Sequence, residues 1–265
     1  MRAVEALTYF PPGILPFIAS FLEGQSILVA GGTGKYYFPV ADASLNTCTS
    51  RTIVVSMSVA RQLAAAVAIG DRIMVFGGYT GCHNSSCEAF DLNTMAWTAL
   101  PSLGTPRYAA CAIEWHGTAF VFGGNDRSTT LSSAECFDSK LNRWSAIAPM
   151  TTPRHFAATV AVPDRGLLVM GGVDNRNGSL QSAELYDPVT NKWTTMSWQL
   201  PKALRGFAAQ CVDGVLHIFC GISPSGGTSE CWSLDLFAAA PVWSPLPPMP
   251  TTRPGLVASV ALRAN

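Results

Sequence analysis

The sequence predicts an all-β chain that repeats one four-stranded sheet about five times. Three observations predict it. A glycine pair closes an apolar run in SILVAGG, RIMVFGG, TAFVFGG and LLVMGG, with LHIFCG as a worn copy, so the first positions are 31, 77, 123, 171 and 220. An arginine opens a run of small residues at 61, 107, 154, 205 and 253. A Glu-x-aromatic begins at Glu88, Glu135, Glu184 and Glu230, with Phe90, Phe137, Tyr186 and Trp232 as its aromatics, and a tryptophan follows at 97, 144, 193 and 243. These marks keep one order and one period, which is the signature of stacked supersecondary units.

Within a unit the first strand is the alanine-rich run, such as Ala64 to Ala68 or Ala157 to Ala161. Alanine is the best helix former, but these runs meet hairpin turns at once. Gly70-Asp71, His116-Gly117 and Asp213-Gly214 suit tight turns, and a β-rich run such as IMVF or LHIF follows directly. The second strand ends at the glycine pair, where positive φ or a close backbone approach excludes a Cβ. The third carries Glu-x-aromatic and the fourth carries the tryptophan, a bulk that fits the wide outer part of a wedge.

Four-stranded sheets at this period are blades of a β-propeller. The units resemble the kelch-repeat family, whose marks stand nearly unmodified in AECFDSKLNRWSAIAPMTTPR (134–154) and AELYDPVTNKWTTM (183–196). The resemblance covers essentially the whole chain and implies a kelch-type propeller as a single domain over 1–265. Its units are expected at about 15–60, 61–106, 107–153, 154–204 and 205–252. Two terminal strands, 5–12 and 253–262, would share an incomplete closing blade, leaving a five-blade ring with leftover strands or a six-blade ring lacking roughly two strands. The first unit is degenerate, since Thr52 to Val55 stands where a tryptophan is expected.

Composition narrows the function. Seventeen Lys+Arg balance 17 Asp+Glu, with no basic block, which argues against a general nucleic-acid binder. No apolar run reaches the roughly 18 residues that span a bilayer. The eight cysteines contain no Cys-x-x-Cys and most lie in apolar stretches, so a reduced, cytoplasmic protein is expected. A secretory signal over 1–24 is the rival, weakened by Pro11, Pro12 and Pro16.

No catalytic motif stands out. Gly31 to Lys35 lacks the remaining residues of a phosphate loop, with Val29 and Tyr36 at the two diagnostic places. Cys82, His83 and Cys87 lack an evident fourth metal ligand. Asn84-Ser85-Ser86 and Asn177-Gly178-Ser179 match the glycosylation acceptor, which matters only in a secreted chain. His83, His116, His155 and His217 fall in different units, and no GxSxG elbow is present. The Tyr–Cys and two-His set of kelch-like copper oxidases has no counterpart here. No catalytic residue, cofactor or metal is assigned.

The resemblance implies a non-enzymatic interaction module of the substrate-recruiting or scaffolding kind. It would hold a partner protein or peptide at one end of the channel, on residues that open first strands or follow glycine pairs. By position these are Tyr79, Arg107, Tyr108, Asn125, Asp126, Arg154, His155, Asp174, Arg205 and Phe207, with Arg61, Asn175 and Arg253 beside them. Arginines and aromatics suit an acidic or phosphorylated peptide. Tyr79, Tyr108 and His155 break the repeat and are the stronger ligand candidates. The recurrent arginines have a competing role as structural partners of the third-strand glutamates. Many relatives dock a ubiquitin ligase through BTB or F-box domains, neither of which is read in this sequence. The alternative function is a sugar- or small-molecule enzyme on the same ring, epimerase- or oxidase-like, using loop Arg, His and carboxylates such as Asp126 and Asp174.

Overall fold

The computed structural model describes residues 57–250, apart from 83 and 177, together with three strands before them. Those three, β1 (Ala19–Leu22), β2 (Gln25–Ala30) and β3 (Ile53–Ser56), form one sheet. β1 and β2 are antiparallel, whereas β2 and β3 pair directly in parallel. In a four-stranded meander the second and fourth strands also run parallel, but a third strand separates them. The first unit therefore departs from the full blade expected of it. The terminal strands expected at 5–12 and 253–262 lie outside the described residues.

Four regular blades follow, numbered here by sequence unit. Blade 2 holds β4 (Ala65–Ile69), β5 (Arg72–Phe76), β6 (Cys87–Asp91) and β7 (Ala96–Leu100). Blade 3 holds β8 (Cys111–Trp115), β9 (Thr118–Phe122), β10 (Ala134–Asp138) and β11 (Arg143–Ile147). Blade 4 holds β12 (Ala158–Val162), β13 (Gly166–Met170), β14 (Ala183–Asp187) and β15 (Lys192–Thr195). Blade 5 holds β16 (Ala208–Val212) and β17 (Val215–Phe219), then the short hairpin β18 (Ile222–Ser223) and β19 (Gly226–Gly227), then β20 (Cys231–Asp235) and β21 (Ser244–Leu246). Each blade is an antiparallel meander, and no helix occurs among the described residues. The alanine runs are strands because their neighbours turn too soon for a helix. The first strands β4, β8, β12 and β16 contact one another in succession, so the blades converge on them.

Convergence dictates the packing. The second strands bury both faces, as in Ile73, Met74, Val75 and Phe76, which explains their unbroken apolar runs. At the inner rim a backbone ladder joins the blades: Ala109 N–H donates to Leu63 O (2.8 Å), Phe156 to Ala109 (2.9 Å) and Gly206 to Phe156 (2.9 Å). All four residues have φ between 52° and 54°, so the ladder repeats one left-handed kink per blade.

The tryptophans hold one register opposite the third-strand residue, as Phe90↔Trp97, Phe137↔Trp144, Tyr186↔Trp193. They are largely but not fully buried, because each lies on an outer strand. Trp144 packs edge-on against Phe76, and Trp193 against Phe122, each on the second strand of the preceding blade. Their indole N–H groups donate back to Pro101 O (3.0 Å) and Ala148 O (2.7 Å), and Trp243 donates to Gln199 O (2.7 Å). Trp97 Nε1 is buried without a partner, next to the irregular first unit. Replacing Trp193 by Phe should therefore lose about 1 kcal/mol more than replacing Trp97 by Phe, read as the difference in urea unfolding free energy. Equal losses would mean that the inter-blade hydrogen bond contributes nothing.

Candidate functional site: the loop face

The connections into each first strand and out of each second strand meet on one face. Isolated antiparallel bridges join them as Gln62↔Tyr79, Tyr108↔Asn125, His155↔Val173 and Arg205↔Ile222. Gln62, Tyr108, His155 and Arg205 thus fall on one row of equivalent positions, and Tyr79, Asn125, Val173 and Ile222 fall on the row paired with it. The Tyr79 and Tyr108 rings meet edge-to-face with centroids 6.0 Å apart, and Tyr79 is exposed.

Arg61, Arg107 and Arg154 do not belong to that row. Each is at most 1% exposed. In blade 4, Arg154 donates to Gly171 O (3.0 Å), Ser182 O and Oγ (both 2.8 Å) and Glu184 Oε1 (2.9 Å). Arg107 repeats the set with Gly123, Ser133 and Glu135, and Arg61 repeats it with Gly77, Ser86 and Glu88. The carboxylates also accept N–H groups from the incoming loop: Ser58 and Val59 on Glu88, Gly104 and Thr105 on Glu135, Thr151 and Thr152 on Glu184. Burial alone would raise the Glu88 carboxyl, but hydrogen bonds from Ser58 and Arg61 outweigh it and hold it below the ordinary range. Burial lowers the Arg154 and Arg107 guanidinium values, opposed by Glu184 and Glu135. Arg107 and Arg154 are therefore structural clamps and are withdrawn from the ligand face. The serine two residues before each glutamate belongs to the clamp too, and the repeated Ser-x-Glu was its sequence signal.

The first glycine of each pair exists for this clamp. A Cβ on Gly77 would sit 2.4 Å from Arg107 O, and one on Gly123 would sit 2.1 Å from Arg154 O. The arginine whose carbonyl closes on the glycine opens the next blade, so the motif couples neighbours.

Blade 5 is built differently, and the sequence register slips there by one residue. The position equivalent to Arg154 is Leu204, whose carbonyl accepts from Gly172 N–H as Arg154 O accepts from Gly124 (both 2.8 Å). Ile218 pairs Trp232 as Val75 pairs Glu88, so Trp232 replaces the buried glutamate. Leu204 is 0% and Trp232 9% exposed. Pro201, with no N–H, stands where Thr151 donates to Glu184. Lys202 lies over the Trp232 ring, 5.1 Å from its centroid, and pairs with Glu230 at the surface. An apolar pair has thus replaced the ion pair, and Leu234 rather than Trp232 takes the third-strand aromatic position, pairing Leu216 as Phe90 pairs Ile73.

This slip places Arg205 on the face, equivalent to Tyr108 and His155, where among the described residues its guanidinium makes no hydrogen bond or ion pair. It also removes Phe207 from the face. Phe207 is 2% exposed and fills the space over Gly171 and Gly221. Arg253 and His83 lie outside the described residues.

Asp126 and Asp174 shape their own loops. Asp126 Oδ1 accepts from Ser128 Oγ (2.7 Å), Ser128 N (3.0 Å) and Thr129 N (2.8 Å). The Ser128 hydroxyl is the main cause that holds Asp126 below the usual carboxylate value, the reverse of what a proton-donating acid needs. Asp174 Oδ1 accepts from Arg176 N (2.9 Å) and Gly178 N (3.0 Å). Asn175 crosses between blades, its Oδ1 accepting from Thr130 N (2.6 Å) and Thr129 Oγ1 (2.8 Å). Pro106, Asp126, Arg127 and Ser128 line a shallow depression beside Tyr108. Thr130 and its links to Asn175 and His155 carry no repeat mark and were not legible beforehand.

Cys82 and Cys87 are both free, one exposed and one buried, and no group of three metal-ligating side chains occurs among the described residues. Burial pushes the Cys87 and Cys111 thiols up to about 12, so both are inert at neutral pH. No helix of the described residues is long and apolar enough to cross a membrane.

Antiparallel four-stranded blades converging on their first strands define a β-propeller. The chain belongs to the kelch-repeat family: residues 18–221 match the KLHDC2/KLHL20/DRC7 Kelch-repeats domain. It is 29% identical over 135 residues to an F-box/kelch-repeat protein of Arabidopsis thaliana, a match covering 47% of this chain and 36% of that protein. The matched region thus spans about a third of the relative's length. Among solved structures, that of YjhT aligns with a TM-score of 0.65 and 17% identity over 74% of this chain and 67% of the other, a likeness of fold alone.

Proposed function

We propose that the chain holds an extended acidic segment of a partner protein on its loop face. The kelch-repeat propeller is in general a protein-interaction module. One observation carries the finer reading. Where packing demands an arginine–glutamate clamp, the repeat is kept or replaced as a set, whereas the row outside it diverges into Gln62, Tyr108, His155 and Arg205. Tyr79 and Tyr108 offer two aromatic faces at one end, and Arg205, unpaired among the described residues, offers a fork for a carboxylate at the other. A phosphorylated segment is the same chemistry with a stronger acceptor. Substrate-adaptor, scaffold and ubiquitin-ligase settings, like a cytoplasmic location, are carried by family resemblance.

Selection of a displayed peptide library on the purified chain tests this. Selected peptides should be enriched in Asp or Glu next to an apolar residue. Fluorescence polarisation should show Arg205→Ala and Tyr108→Ala each weakening binding by about 2 kcal/mol, roughly thirtyfold. Lys140→Ala, in a turn between third and fourth strands, should leave affinity unchanged. Unchanged affinity in both face variants would place the partner site elsewhere.

A further inference from the structure

Resting on that reading, we infer that His155 makes the loop face proton-coupled: an acidic partner segment seated on Arg205 draws a proton onto the His155 ring. The geometry around the ring is specific. Nδ1 lies 3.0 Å from Thr130 Oγ1, and Thr130 is 5% exposed. Asn125 Nδ2 donates to the same oxygen (3.5 Å), while Thr130 N–H is committed to Asn175 Oδ1 (2.6 Å). In a neutral ring with its proton on Nε2, the Thr130 hydroxyl donates to Nδ1, and the two lone pairs of its oxygen leave room for Asn125. Protonation would put a second donor on the Thr130 oxygen and leave its own hydrogen to find another acceptor.

The charges facing the ring come from two elements. Arg205 opens blade 5 on one side, and Asp174 stands in the post-glycine loop of the ring's own blade. Arg154, next in sequence, is turned away into its pair with Glu184. Burial is the main cause that lowers the His155 value; Arg205 lowers it further, while the Val173 carbonyl and Asp174 oppose. A carboxylate arriving at Arg205 neutralises the repelling cation and adds an attracting anion within reach of the ring. The ring value then rises on binding. Between the free and bound values, complex formation takes up a proton and affinity grows as pH falls, by up to tenfold per pH unit.

A fluorescein-labelled hexaglutamate is the probe, measured by fluorescence polarisation at pH 5.5 and 7.5. The expected result is affinity about tenfold tighter at pH 5.5 for the natural chain, and a pH-independent value for His155→Gln. A second measurement needs no variant. Calorimetry at pH 6 in buffers of different ionisation heat should show net proton uptake on binding. Equal affinity at the two pH values, an acid gain retained in His155→Gln, or zero proton uptake would each overturn the inference. Failure of hexaglutamate to bind at either pH would overturn it as well. The interaction reading itself fails separately, when library-selected peptides ignore Arg205→Ala and Tyr108→Ala.

Discussion

Arg154→Leu is expected to destabilise the chain by about 3–5 kcal/mol in urea unfolding, because it leaves Glu184 buried without its counter-charge. The Glu184 side chain is 1% exposed and keeps only two loop N–H donors once the guanidinium is gone. Gly171 O loses its guanidinium donor in the same step, and Ser182 O keeps only the Gly171 N–H (3.1 Å). The chain itself contains the compensating solution. Blade 5 holds Leu204 and Trp232 at the same two places, with neither charge present. A buried ion pair is replaced by apolar residues at little net cost, whereas removal of one partner is severe. Arg154→Leu combined with Glu184→Trp should therefore recover about 1–2 kcal/mol of the single-variant loss. Recovery should be incomplete, since Thr151 keeps an N–H that Pro201 lacks. A double variant as unstable as Arg154→Leu alone would show that the blade 5 arrangement depends on more than these two residues. Affinity per folded molecule should be unaffected by either change, which separates a clamp from a ligand contact.

The period, the strand order within a unit and the all-β class were legible in the sequence because each is written several times over. The competing structural role for the recurrent arginines was legible too, since a pair repeated in step is what packing produces. The register of blade 5 was not. Arg205 fits the arginine spacing about as well as Leu204 does, and Glu230 imitates the third-strand glutamate. A local count discriminates them: Arg61, Arg107 and Arg154 each stand four residues before the strands that start at Ala65, Cys111 and Ala158, and the strand starting at Ala208 points back to Leu204. The third-strand phase is likewise read from Cys231, which occupies the place of Cys87, so that Trp232 and not Glu230 faces inward. The His155–Thr130–Asn175 link was invisible because it crosses between loops of different blades and is built from residues that occur once. Repetition reveals what packing needs; residues on the face are by nature the unrepeated ones.

Phe207→Ala should lose about 3–5 kcal/mol of stability, the usual loss for a buried Phe reduced to Ala, while the folded fraction binds a selected peptide as tightly as the natural chain. The ring lies in the core cluster shared by blades 4 and 5, among Leu200, Leu204, Ala158 and Ile218. Gly171 exists where the ring needs room, since a Cβ there would come within 2.7 Å of Phe207 Cε1. Arg205, two residues earlier, should give the opposite pattern, with affinity lost and stability kept. The intervening Gly206 turns the chain through φ 53° and donates its N–H to Phe156 O, so the residue before the kink faces the loop surface and the residue after it enters the blade. Denaturation and fluorescence polarisation on the two variants read both quantities. Were Phe207→Ala to weaken the peptide at a stability loss below about 1 kcal/mol, the ring would face the ligand, and the one-residue shift that frees Arg205 would be wrong with it.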